Sequence, residues 1–320
     1  MQNKALRADL LMLVTAMIWG SAFVAQRLGM DSIGPFLYSG LRFALAALVL
    51  LPLLGWLQRR PALAPPPGLS RPLLLGGGLM GLVLALGINL QQVGLLFTSV
   101  TNSGFITGLY VIIVPLLGLL IGQRAGLGIW LGASLAVVGM FLLSVGDGFQ
   151  IASGDWLQLA GAFVWGLHVL LVGFFASRHD PLRLAAIQFA TCALISLLLA
   201  VIFEDIQLDA ILAAGPAILY GGLFGVAIGF TLQVVAQQHA IASHAAIILS
   251  LEAVFAAIAG AWLLGEALHL RGYIGCALMF AGMLLAQLWP KALPSPSTDL
   301  RETVAGADAG HPPGQPRVGL

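Results

Sequence analysis

The sequence predicts an all-α membrane protein: ten transmembrane helices arranged as two inverted five-helix repeats, with both termini in the cytoplasm. Three observations predict it. Of 320 residues, 59% are hydrophobic and only 8% are charged, against roughly 25% charged in soluble domains. A soluble fold cannot hide that much apolar chain, because its surface grows with its size and must be polar. The apolar residues fall into runs of about 20, the length that crosses a bilayer. The second half of the chain also repeats the first.

Charges, prolines and polar clusters divide the chain into ten runs: 9–28, 36–57, 73–95, 101–121, 127–145, 155–175, 184–203, 214–235, 244–264 and 271–289. Short connections make sequential helices neighbours. Residues 290–320 are rich in proline and glycine and show no apolar periodicity, which predicts a disordered cytoplasmic tail.

Basic residues set the orientation, because cytoplasmic loops retain them. With the N-terminus inside, cytoplasmic segments hold Lys4, Arg7, Arg59, Arg60, Arg71, Arg124, Arg178, Arg183, Lys291, Arg301 and Arg317. External segments hold Arg27 and Arg271, and Arg42 lies within a span. External loops instead carry Asp31, Asp147, Asp155, Glu204, Asp205, Asp209 and Glu266. The net charge of +1 gives no footprint for nucleic acid. Cys192 and Cys276 both lie in apolar segments and read as packing residues, not as a disulfide or metal site.

The repeat appears at a shift of 146. Residues 9–44 align without a gap on 155–190, with nine of 36 positions identical, including Asp9/Asp155, Trp19/Trp165, Gly20/Gly166, Pro35/Pro181 and Phe43/Phe189. Apolar composition alone yields chance leucine matches, but not a matched Trp-Gly pair when the chain has seven tryptophans. Residues 122–142 align on 265–285 at a shift of 143, with seven identities in 21, and Pro72 and Pro216 open the third and eighth runs. The expected units are 1–145, 146–289 and the tail 290–320. Five helices is an odd number, so the second unit enters the membrane from the opposite side. Inverted repeats are a signature of secondary transporters, whose site lies near the midplane where the repeats meet. Lys4 and Arg7 before an apolar stretch also fit a signal peptide, but the first run is the copy of an internal helix, and its cleavage would destroy the architecture.

These features resemble the drug/metabolite transporter superfamily in its EamA-type branch, over residues 9–289. The resemblance rests on the Trp-Gly pairs at 19–20 and 165–166, the five-plus-five arrangement and LSLEAVFAAIAGAWLLGEAL at 249–268. That stretch resembles the family's Leu-Glu-Pro, small or apolar helix, Gly-Glu pattern. Glu252 and Glu266 match it, and Ala253 stands where proline is usual. The first half has GLYVIIVPLLGLLIGQRAG instead, with Tyr110 and Gln123 near the acidic positions. The resemblance implies export or exchange of a small metabolite, such as an amino acid, across the inner membrane by alternating access, and no cofactor.

Intramembrane polar residues are the candidate substrate pathway, because a charge at the bilayer centre costs at least ~2.5–3.5 kcal/mol on insertion scales. Glu252 lies near the midplane and is the candidate proton-coupling carboxyl or amine site; the structural alternative is a helix-joining hydrogen bond. Arg42 lies roughly 10 Å deep by helical rise. It either snorkels outward or meets a substrate carboxylate or an acid, and its repeat partner is Gln188. His168 shares a helix face with Trp165 and is either a proton relay or a packed histidine. Asn89 and Gln92 share a face at i,i+3, and Gln233 is the repeat equivalent of Gln91 at a shift of 142. These amides either line a cavity or join helices, the latter at ~0.6 kcal/mol per bond. Trp19 and Trp165 sit mid-span, away from the interfacial belt, as cavity walls or as packing.

The partners expected are a small-molecule substrate, the lipid bilayer and protons, in a monomer or homodimer. Two rivals remain: an embedded enzyme without solute flux and a structural or lipid-moving protein. Against the enzyme, the chain has no HExxH zinc motif, no GxSG element and no nucleotide-binding glycine loop. Pro115 removes one backbone bond in the fourth run and is expected to kink it and help gating. Pro115→Ala is therefore expected to change transport rate or affinity; unchanged kinetics would mark the proline as structural only.

Overall fold

Prolines, glycines and capping side chains cut the chain into its helices. The computed structural model describes residues 2–59, 69–123, 125–144, 152–263, 265 and 270–289. The first half holds α1 Gln2–Gly29, α2 Pro35–Gln58, α3 Arg71–Gly94, α4 Val100–Gly108, α5 Tyr110–Leu120 and α6 Leu127–Ser144. The second half holds α7 Ser153–Ala176, α8 Pro181–Phe203, α9 Leu208–Ala213 and α10 Gly215–Tyr220. A π-helical segment Gly221–Phe230 follows, then α11 Thr231–Gln237, α12 Ala242–Leu249, α13 Glu252–Leu263 and α14 Leu270–Leu288. No strand occurs among the described residues. The predicted tail 290–320 lies outside them, as do Arg60, Arg124, Asp147 and Glu266.

Among the described residues, eight helical stretches are long and apolar enough to cross a membrane: Ala5–Gly29, Pro35–Leu57, Arg71–Gly94, Asn102–Leu120, Ser153–Ala176, Pro181–Phe203, Gly215–Gln237 and Ala242–Leu263. Two shorter apolar helices, Leu127–Leu142 and Leu270–Ala286, fall on the fifth and tenth predicted runs. The starts follow from local chemistry. Proline opens α2 and α8 and stands second in α3, where its missing N–H costs no helical bond. Ser70, Ser99 and Asp180 cap α3, α4 and α8 by accepting from the backbone N–H groups of Leu73, Asn102 and Arg183. At the end of α5, Gly122 adopts a φ of +78°. Gln123 N–H bonds back to Gly118 O and Gly122 N–H to Leu119 O, a Schellman closure that needs a residue tolerant of left-handed φ. Gly265, its partner at a shift of 143, has a φ of +70°.

The helix contacts come in matched pairs. α3 packs on α7 and α8, as the π segment packs on α1 and α2. α13 and α12 pack on α1, as α4 and α5 pack on α7. α2 meets α8, and α6 meets α14. Exchanging the two halves of the chain turns this contact set into itself. In a bilayer such contacts gain little from apolar burial, because lipid tails are equally apolar, so close backbone approach matters. Gly20 faces the α13 backbone at Phe255 and Ala256, and Gly166 faces Ile113 of α5. Gly81 lies against Gln188 O on α8, and Gly222 near Arg42 O on α2.

Both the fourth and ninth runs are interrupted by a tighter turn. Leu109 separates α4 from α5, with Leu109 N–H bonded to Ile106 O and Ile112 N–H to Leu109 O. Ser250 and Leu251 separate α12 from α13, with Leu251 N–H on Ile248 O, Ala253 N–H on Ser250 O and Val254 N–H on Leu251 O. These are three-residue spacings inside a four-residue ladder, a feature that often marks a hinge. Pro115 lies within α5, six residues beyond the Leu109 turn. The Ser250–Leu251 turn forms with no proline in it, so proline alone does not make these interruptions.

The α6–α14 contact gives a stability prediction. A Cβ on Gly139 would lie 2.5 Å from Gly275 O, and one on Gly132 would lie 2.6 Å from Gly282 O. Gly139→Ala is expected to cost about 1–3 kcal/mol through overpacking and to lower the midpoint of thermal unfolding in detergent. Gly78→Ala, where nothing lies within 4 Å, should leave it unchanged.

Candidate functional site

The two interrupted runs and the two Trp-Gly helices converge on one cavity. It is lined by α1 (Trp19, Ala22, Phe23, Gln26), Arg42 of α2, Ile88 and Gln91 of α3, Thr107 and Tyr110 around the Leu109 turn, Trp165 and Val169 of α7, Gly225, Phe230 and Gln233, and Glu252 at the start of α13. The cavity volume is about 40 Å³. That is far below the ~300–1,000 Å³ of small-molecule sites, so a metabolite-sized guest requires the walls to part.

The aromatic wall is built on Phe230. Its ring centroid lies 4.5 Å from Trp19 and 5.9 Å from Trp165, the latter stacked at 22°. The Trp19 indole N–H donates to Gly225 O at 3.0 Å. A Cβ on Gly229 would meet that indole nitrogen, so glycine in the π segment is what lets the ring seat. Trp165 Nε1 has no partner.

Arg42 does not snorkel. It is 2% exposed and held between the Tyr38 and Phe43 rings, 5.1 and 5.5 Å from their centroids. Its Nη2 donates to Gln92 Oε1 at 3.2 Å and Gln26 Oε1 at 3.4 Å. Gln91 Nε2 donates to the same Gln26 oxygen at 3.4 Å. Gln158 of α7 extends the amide chain, donating to Gln91 O at 2.9 Å and accepting from Thr107 Oγ1 at 3.4 Å. Glu252 is 4% exposed with the Tyr110 hydroxyl beside it.

Three buried polar atoms of lining residues, Arg42 Nε, Trp165 Nε1 and Gln233 Oε1, have no hydrogen-bond partner, while the Tyr110 hydroxyl and the Glu252 carboxyl meet each other. Buried polar groups are otherwise satisfied in more than about nine cases in ten. These three are donors and acceptors open to a guest in the cavity.

Of the residues singled out from sequence, Trp19, Arg42, Trp165, Gln233 and Glu252 line this cavity. Gln92 stands behind it, holding Arg42. Asn89 joins helices instead, its Nδ2 donating to Ala85 O at 2.8 Å and to Ser196 Oγ of α8 at 2.9 Å. His168 and Gln188 are both fully buried behind the aromatic wall, 3.1 Å apart between Nε2 and Oε1. His168 meets Trp165 and Phe230 edge-on at 5.8 and 6.2 Å. Gln26, Thr107 and Phe230 were not anticipated as lining residues. Gln91 and Tyr110 were visible only as repeat partners of Gln233 and Glu252, both at a shift of 142.

The EamA-like transporter family profile matches the chain twice, at residues 6–145 and 152–288. An uncharacterised transporter of Archaeoglobus fulgidus is 31% identical, over 89% of this chain and 87% of its own. A probable terminal-alkyne amino-acid exporter of Streptantibioticus cattleyicolor is 28% identical, over 86% of this chain and 91% of its own. A crystal structure with 20% sequence identity shares the fold at a TM-score of 0.70, covering 88% of this chain and 96% of the other. With its apolar helices, the protein is a multi-pass membrane protein, and it belongs to the EamA-like transporter family.

Proposed function

We propose that the protein is an inner-membrane secondary transporter that exports or exchanges a small metabolite, an amino acid or similar amphiphile, by alternating access. Residues 1–145 and 146–289 act as two inverted five-helix repeats with both termini cytoplasmic. The observation that carries this reading is the cavity itself, lined by repeat partners from both halves: Trp19 with Trp165, Gln91 with Gln233 and Tyr110 with Glu252. Its unsatisfied donors and acceptors suit a polar guest. The exporter among the relatives handles an amino acid by its name, which supports the substrate class.

Two latches suit alternating access. The repeat-paired aspartates stand near the starts of α1 and α7, and each reaches the start of a helix from the other half. Asp9 meets His244 Nε2 of α12 at 3.1 Å. Asp155 accepts from Thr98 Oγ1, just before α4, at 2.6 Å. In an inverted repeat these contacts close opposite ends of one cavity, the cytoplasmic end by Asp9–His244 and the external end by Thr98–Asp155.

Proton coupling runs through Glu252, the one carboxyl among the lining residues. It sits beside a hinge-like turn and a phenol from the other repeat, so its proton occupancy can bias how the turn packs.

Three measurements test these statements. Proteoliposomes loaded with amino acids should show counterflow of a labelled amino acid; movement of labelled lipid with no solute flux would overturn the carrier reading. Glu252→Gln should retain counterflow and lose uptake driven by a pH gradient, and full gradient-driven flux in that variant would rule out coupling there. For the latches, a cysteine at Ala22 in a background lacking Cys192 and Cys276 reports access. Thr98→Val should raise its labelling from outside and Asp9→Ala from inside. Equal labelling from both faces in both variants would sink the latch assignment.

A further inference from the structure

The guanidinium of Arg42 reaches the cavity with no counter-ion. The ion pair His244–Asp9 involves neither Arg42 nor Glu252. The groups on Arg42 are neutral: two amide oxygens on Nη2 and two aromatic rings. Its nearest titratable neighbours are the Tyr38 phenol and the Cys192 thiol. Leaving a buried charge unpaired is strongly unfavourable, and proteins place a partner or a ligand against it. Glu252 lines the same cavity without pairing to it.

The geometry points to Arg42 as the anchor for a carboxylate of the transported molecule, an inference that rests on the transporter reading above. Gln92 and Gln26 draw Nη2 to one side and leave Nε–H, buried and unpartnered, as the donor on offer. Tyr38 and Phe43 hold the planar group over their faces, which fixes its direction. A planar guanidinium with a free edge suits a carboxylate. No second cation is among the lining residues, so the charge balance favours a monoanion over a dianionic phosphate. Gln92 is then a positioning residue: it acts on the ligand through Arg42.

The test is a set of matched ligands on the purified full-length protein, read by intrinsic tryptophan fluorescence and thermal shift. Each set keeps one side chain: L-phenylalanine, phenylalaninamide, 3-phenylpropanoate and phenyl phosphate, then L-leucine, leucinamide and 4-methylpentanoate. Carboxylate-bearing members should bind at least tenfold more tightly than the amides. Arg42→Gln should erase that ratio, and Arg42→Lys should keep part of it. A purely structural tie between α1, α2 and α3 would lower stability without touching the ratio. Amides that bind the native protein as tightly as their carboxylates would overturn the anchor, as would tighter binding of phenyl phosphate, a ratio preserved in Arg42→Gln, or no binding by any carboxylate. The comparison on the native protein stands even if both variants fail to fold. Bound carboxylates that show no counterflow would overturn the transporter reading and leave the anchor intact.

Discussion

Inside hydrocarbon a polar group has only other protein groups to bond, and this constraint governs the molecule from backbone to site. It makes every described spanning segment helical, because a helix satisfies its own backbone. It also gives meaning to the places where the ladder tightens. The turns at Leu109 and at Ser250–Leu251 shift bonds from four-residue to three-residue spacing without abandoning them. Both turns sit beside the cavity, directly before Tyr110 and Glu252. The backbone bonds shift there without being lost, and unpartnered side-chain atoms of Arg42, Trp165 and Gln233 belong to residues lining that space, while others, such as Ser39 Oγ and Gln237 Oε1, lie elsewhere.

The recurring Trp-Gly pair shows how one short motif serves both needs. In each copy the indole faces the cavity while the next residue, lacking a Cβ, lets a helix from the other part of the same packing pair come close. Gly20 admits α13 and Gly166 admits α5. The indoles then differ in what they bond. Trp19 finds Gly225 O in the π segment, whereas Trp165 Nε1 is left free toward the cavity. A π segment is wider than an α-helix and often marks a functional site. Here it carries the glycines that receive Trp19 and ends on Phe230, the ring that both indoles contact.

Much of this fold was legible in the sequence because its signals are periodic and long. Apolar runs and a fixed shift each sum over many residues. The site was legible in part, for a physical reason. A spacing of i,i+3 places two residues on one face but does not say toward which neighbour that face turns. Asn89 and Gln92 therefore share a stripe, yet one reaches Ser196 on α8 and the other Arg42 on α2. Trp165 and His168 likewise share a face, and only the larger ring reaches the cavity while the imidazole stays behind it. Gln26 and Thr107 carried no signal, since single amides and hydroxyls are common in membrane helices. The tighter turn at Leu109 was also invisible, because the one obvious breaker, Pro115, lies elsewhere in α5.

The divergence between the two copies locates the chemistry better than their identity does. Arg42 and Gln188 are equivalent positions on two helices that pack against each other. Gln188 shares a single bond with His168 and is sealed behind rings, a neutral arrangement. Arg42 puts a guanidinium at a position nearly as buried, supported only by amide oxygens and ring faces. Neutral support of that kind orients a guanidinium but does not neutralise it. A fold that needed only helix-joining bonds at this position could have used glutamine in both halves, as it does in one. A charged residue kept on the cavity side is what the proposed carboxylate anchor requires, and paired helices around it are what the proposed alternating access requires.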